Sequence, residues 1–389
     1  MLLIVGFIFL ILLIIGYNKT KSFFSPEVLV TGTWLLIIVL YYLLPHKLFA
    51  IDGKFIECIL IWVFGFFISS SVTYSLTGYG KAVFEKNKQI YKYEMIFAAI
   101  ATLIMAVECI WLALTSDYFF LYLRSLNTGL DDNIQSNVNP LWGYLRSAMI
   151  IVYLIELINS KPENKRRRII FFILNIITCF VTMAKSQLFL VVYSTVVILY
   201  RNKMIKIRQL LIVAFICFGL FALMQLLRTQ DSSAFSMLNF LAIYILSGSV
   251  AFDEFNPASF DSGSNVFRFF VALTNRLGLS NVTANATILE YTIIGPDSIS
   301  NVYTLLFPYF VDFGYIGILV FSVVNGILCG YFYRKSQNSE PALIMYVMLS
   351  YTIVFGFLGE ILFANLSTFL QYAIYAYIPY YFKIKSLRK

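Results

Sequence analysis

The sequence predicts an all-α polytopic membrane protein with about 11 transmembrane helices, an outside N-terminus, a cytoplasmic C-terminus and one large external segment carrying amphipathic helices. Three observations carry this expectation. Hydrophobic residues make up 60% of the chain and charged residues 13%, with a mean hydropathy of +0.81, whereas soluble domains are roughly 25% charged. Apolar runs approaching the roughly 20 residues that a helix needs to cross a bilayer recur from end to end. Lysine and arginine then gather on alternate sides of those runs, as the enrichment of basic residues in cytoplasmic loops requires.

In order, the runs are Met1 to Tyr17, Val28 to Leu44, Ile56 to Leu76, Met95 to Thr115, Leu141 to Leu157, Ile169 to Ala184, Leu188 to Tyr200, Gln209 to Leu227, Phe313 to Tyr333, Ala342 to Leu358 and Leu366 to Phe382. No basic residue precedes the first run, and Lys19 and Lys21 follow it. That is the reverse of a cleaved signal peptide, so the run reads as a retained span. With the N-terminus outside, 21 of the 29 basic residues fall on inner segments; the others are Lys47, Lys54, Arg124, Arg146, Lys185, Arg228, Arg268 and Arg276. The net charge of +9 is therefore a topology signal and implies no nucleic-acid partner.

Leu238 to Phe252 (LNFLAIYILSGSVAF) is apolar but short. If it alone crossed, Arg334, Lys335 and the basic C-terminus would lie outside, so it is expected on the outer side as an interfacial or re-entrant segment. Residues 1–389 thus read as a single integral membrane domain. Residues 116–140 form a smaller external loop and residues 228–312 a large external segment with room for soluble chemistry.

Several chemistries drop out. The five cysteines, Cys58, Cys109, Cys179, Cys217 and Cys329, all fall within spans and are odd in number, so they read as small core residues. His46 is the only histidine, which excludes HExxH and Cys/His metal sites. With neither a P-loop nor a GxGxxG present, no cofactor is expected.

The large external segment mixes arginines, carboxylates, aromatics and amides: Arg228 with Asp231, "YILSGSVAFDEF" with Asp253 and Glu254, "NVFRFFVALTNRLGL" with Arg268 and Arg276, then "NVYTLLFPYFVDFGYIGI" with Asp312. At about 100° per residue, Arg268, Asn275 and Arg276 share one side of a surface helix and Phe267, Phe270, Val271 and Leu277 the other. Such arginines either anchor to anionic headgroups or bind a pyrophosphate bidentately. A carboxylate at an apolar boundary is either a cap or salt-bridge partner or a desolvated general base. Glu108 and Glu156 stand inside spans, where charge is costly.

The order of these features, with Asn-Val-Tyr-Thr at Asn301 to Thr304 followed by Asp-Phe-Gly-x-x-Gly at Asp312 to Gly317, resembles the Wzy-type oligosaccharide repeat-unit polymerases of bacterial envelope polysaccharide synthesis. The resemblance covers the whole topology, with residue-level similarity between about 201 and 335. It implies a metal-independent glycosyltransferase on the outer face of the bacterial cytoplasmic membrane. In O-antigen, capsule or exopolysaccharide synthesis, such an enzyme transfers a growing glycan from undecaprenyl pyrophosphate to the next lipid-linked repeat unit. Lipid-linked oligosaccharides and membrane lipids are the implied partners, with a chain-length regulator and a flippase beside them.

On that reading Arg228 and Arg268, with Arg276 or Arg146, bind the leaving pyrophosphate. Asp253, or else Glu254 or Asp312, deprotonates the acceptor hydroxyl. Asn301, Tyr303 and Thr304 contact substrate, with Tyr309, Tyr118, Phe119 and Tyr122 along the sugar path. The chain departs from the family pattern at Gly278, one residue too close to Arg268 for an Arg-x10-Gly, and it has no external-loop histidine like that of the related ligases. Three alternatives stay open: the ligase itself, a flippase or transporter of lipid-linked sugars, and a non-catalytic partner.

Overall fold

The computed structural model describes residues 1–78, 86–116, 119–128, 140–159, 162–206, 209, 237–283 and 289–381. In chain order its main elements are α1 (Leu2–Thr20), α2 (Pro26–Leu43), α3 (Gly53–Leu76), α4 (Lys88–Leu114), α5 (Phe119–Thr128), α6 (Pro140–Ile158), α7 (Lys165–Val181), α8 (Lys185–Arg201), α9 (Met237–Glu254) and α10 (Arg268–Arg276). A two-stranded antiparallel ribbon follows, β1 (Thr292–Gly295) with β2 (Ser298–Ser300), and then α11 (Leu306–Lys335), α12 (Glu340–Val354) and α13 (Leu366–Tyr381).

The protein is a mostly helical membrane protein. Among the described residues, α1, α2, α3, α4 and α11 are each long and apolar enough to cross a bilayer. Their outward faces fit lipid. On α4, Phe97, Ile100, Leu103, Val107, Trp111 and Leu114 are exposed at helical spacing, a stripe that would aggregate in water but is ordinary in hydrocarbon. Ten of the eleven expected spans coincide with helices, and the expected span Gln209 to Leu227 lies, beyond its first residue, outside the described residues, as do Arg228, Asp231, Tyr118 and Cys217. The other four cysteines are buried and unpaired. Leu238 to Phe252, expected as an interfacial or re-entrant segment, lies within α9, whose residues from Leu246 to Phe252 are all buried.

The chain divides into two compact units. The first comprises Met1–Gly80, Phe235–Gln337 and Leu349–Ser367, and its centre is the long seam where α3 lies along α11. Small residues allow that closeness: a Cβ on Gly326 would meet the Phe66 carbonyl at 2.6 Å, and one on Gly330 the Ser70 carbonyl at 2.5 Å. Without a hydrophobic drive between helices in lipid, such backbone approach is what holds two spans together. Outward of the seam, Tyr309 is sandwiched between Trp62 (5.5 Å between ring centres) and Phe321 (4.6 Å), each pair within 9° of parallel. The geometry depends on a break in α11 at Gly314, whose φ of 60° and ψ of −148° are open only to glycine. The chain bends there so that Gly317 lies directly against the Tyr309 carbonyl.

The second unit comprises Lys81–Ala234, Asn338–Met348 and Thr368–Lys389. Its core is the continuous buried run Ala148 to Leu157 on α6, packed against α4, α7 and α8. Glu156 inside that run accepts the Tyr91 hydroxyl at 2.9 Å and lies 3.6 Å from the Arg167 guanidinium. A charged group in the bundle is thus partnered, as burial demands.

Candidate functional site

Beside the kinked start of α11 the first unit encloses a cavity of about 620 Å³, within the size range of small-molecule pockets. Its polar lining is Asn265, Arg268, Asn301, Thr304, Glu360 and Asn365; its apolar wall includes Phe307, Pro308 and Leu358, with Tyr303 beside them. Three stretches meet here: residues 263–268 leading into α10, residues 301–308 entering α11, and the loop 355–365. The last two are tied by the Leu305 N–H, which donates to the Gly356 carbonyl at 2.7 Å.

Arg268 is the first residue of α10, and its side chain is half-buried at the cavity wall. Burial pulls its guanidinium below the usual arginine range while leaving it a cation. Asp312 fixes the approach to it. One carboxylate oxygen accepts the Gly263 N–H (2.8 Å) and the Asn265 amide (2.6 Å), and the other accepts the Val266 N–H (2.9 Å). Asp312 therefore pins the turn immediately before Arg268 and does not itself line the cavity.

Asp253 has a comparable task elsewhere in the unit. Its two oxygens accept the N–H groups of Asp52 (2.7 Å) and Phe55 (2.8 Å), capping α3 from a residue about 200 positions away. Glu254 is exposed at the end of α9, and neither acid lines the cavity. Arg276 is exposed at the other end of α10 and is not a lining residue; Arg146 sits half-buried on α6 of the second unit. Asn301, Tyr303 and Thr304 do line the cavity, but the Tyr303 hydroxyl is engaged, donating to the Glu290 carbonyl at 2.9 Å and lying 2.6 Å from the Thr292 hydroxyl. Tyr309, by contrast, is buried in the aromatic stack.

Several lining residues escaped the sequence reading, among them Asn265, Asn365 and Glu360. Glu360, in the loop before α13, brings the sole carboxylate among the described lining residues. Its Oε1 accepts the Tyr309 hydroxyl (3.0 Å) and the N–H groups of Leu362 and Phe363 (2.9 Å each), and its Oε2 accepts the Ala364 N–H (2.7 Å). Burial raises its pKa above the ordinary carboxylate value, outweighing the four hydrogen bonds that pull the other way. The sequence signal was a lone acid in a Gly-Glu pair between two apolar runs. An arginine and a polarised acid thus share one amide-lined, partly aromatic chamber.

The chain is 24% identical over 386 residues to a protein of Escherichia coli (strain K12) named "Putative O-antigen polymerase", with 95% of each chain covered. That likeness covers enough of the chain to reach both units. No family model and no solved structure matches the chain.

Proposed function

We propose that the chain is a polymerase of lipid-linked oligosaccharide repeat units. It transfers a growing glycan from undecaprenyl pyrophosphate to the next lipid-linked unit in envelope polysaccharide synthesis. The observation that carries this reading is Arg268 and Glu360 in one cavity with three asparagine side chains and an aromatic wall. A guanidinium suits a leaving pyrophosphate, because charge grows there as the glycosidic bond breaks. Amides suit sugar hydroxyls, and Phe307, Pro308 and Leu358 give the cavity an apolar wall beside them. The name carried by the Escherichia coli relative points the same way.

The same proposal puts the protein in the bacterial cytoplasmic membrane with eleven spans and the cavity on the outer face. The large external segment then supplies Arg268 as the pyrophosphate-binding arginine. A chain-length regulator and a flippase act beside it.

The test is the size profile of lipid-linked glycans in the native host with the gene deleted and restored. Single repeat units accumulating on lipid, and cleared by the wild-type gene, support a polymerase. Accumulated long lipid-linked chains would mean a ligase, and an unchanged profile would remove the enzyme from this pathway.

A further inference from the structure

We propose that Glu360 is the general base of this transfer, a role that rests on the polymerase reading above. Among the described residues Glu360 supplies the only carboxylate on the cavity wall, and the acids at 253, 254 and 312 lie off it. The group is also held in place. Oε1 is saturated by the Tyr309 hydroxyl and two backbone N–H groups, and the Tyr309 ring that donates is immobilised between Trp62 and Phe321. Oε2 accepts one bond, from Ala364, and so keeps lone-pair capacity. One oxygen anchors the group and the other is left to take a proton.

In the step, the acceptor hydroxyl gives its proton to Oε2 as its oxygen forms a bond to the anomeric carbon of the donor glycan. The bond from that carbon to the pyrophosphate oxygen breaks, and its electron pair leaves with the polyprenyl pyrophosphate, where Arg268 meets the charge. Glu360 then passes the proton to water. No other reactant is consumed. The raised pKa of a buried carboxylate makes it a better base than an exposed one, at the cost of losing activity as the pH falls through that pKa.

A merely structural anchor would use the same four hydrogen bonds, so the test must separate the two. The probe is the lipid fraction extracted from the deletion strain, incubated with purified full-length wild type and Glu360→Gln in detergent. The Gln carbonyl can keep the three bonds at Oε1 while the basic oxygen is lost. Expected is a folded variant, by size exclusion and melting, whose rate falls by about 100-fold or more, together with a wild-type rate that falls with one-proton slope as pH is lowered. A folded Glu360→Gln within about threefold of wild type would overturn the inference while leaving the polymerase reading intact. Wild type that builds no polymer from this fraction would overturn both.

If Glu360→Gln does not fold, Tyr309→Phe decides. Loss of one donor raises the carboxylate pKa further, so the acid limb of the rate profile must move to higher pH. An unmoved limb would overturn the assignment.

Discussion

The Tyr309 hydroxyl donates to Oε1 of Glu360 over 3.0 Å, joining the aromatic stack at the α3–α11 seam to the loop that closes the cavity. Because burial raises the Glu360 pKa, folding favours its protonated form relative to the unfolded chain. Its contribution to stability is therefore fully present below the ordinary carboxylate pKa of the unfolded chain and is lost as pH rises through the folded pKa. Melting temperatures of wild type and Glu360→Gln, compared across that window, are expected to converge on acidification, with wild type showing the steeper loss toward neutral pH. Parallel curves would contradict the shifted pKa.

Arg268→Ala is expected to lower the transfer rate by about 2 to 3 kcal/mol, roughly 30- to 150-fold, as removal of a buried charge-assisted donor does. Arg268→Lys should restore little, since an ammonium cannot grip a phosphate bidentately. The rate of polymer formation on the deletion-strain lipid fraction measures both.

Asp312→Ala leaves three donors of residues 263–266 without their acceptor. Such a loss costs about 1 to 3 kcal/mol and frees the turn that carries Arg268. Stability and activity should therefore fall together, seen as a lower melting temperature and a lower rate in one preparation. A loss of rate at unchanged melting temperature would instead return Asp312 to the chemistry.

Gly326→Leu drives a side chain into the Phe66 carbonyl and the Ser69 side chain across the seam. Backbone cannot yield as a flexible side chain does, so the cost is expected at or above the roughly 3 kcal/mol upper end for overpacking. The readout is the monodisperse yield after detergent extraction. Wild-type yield would show that the two helices are not so tightly joined.

The helices were legible in the sequence because a bilayer imposes length and apolarity on each segment separately; α1 to α4 need nothing from elsewhere in the chain to be recognised. The lining at Arg268, Asn301, Tyr303 and Thr304 was legible for a similar reason, as polar residues clustered between apolar runs. Roles set by distant partners were not. Asp312 could be read as cap or base until residues 263–266 were seen to surround it, and Asp253 until α3 was found beginning against its carboxylate. Glu360 stayed hidden because its position depends on residues 301–308 and 355–365 closing on each other, which no local pattern reports. The Asp-Phe-Gly-x-x-Gly motif gains a physical reading: an anchor at Asp312, a reversal at Gly314 and a close pass at Gly317.

The first unit is assembled from three separate stretches of chain, and its central seam joins α3 to α11. During translation α3 leaves the ribosome more than 200 residues ahead of the helix it must meet, an interval on the order of 10 to 50 s at ordinary elongation speeds. For that time Ser69, Ser70 and the capless start of α3 await partners not yet made. A nascent chain that stalls before Leu306 therefore offers the cell's membrane quality control a helix without its main partner, and synthesis of roughly the last fifth commits the rest.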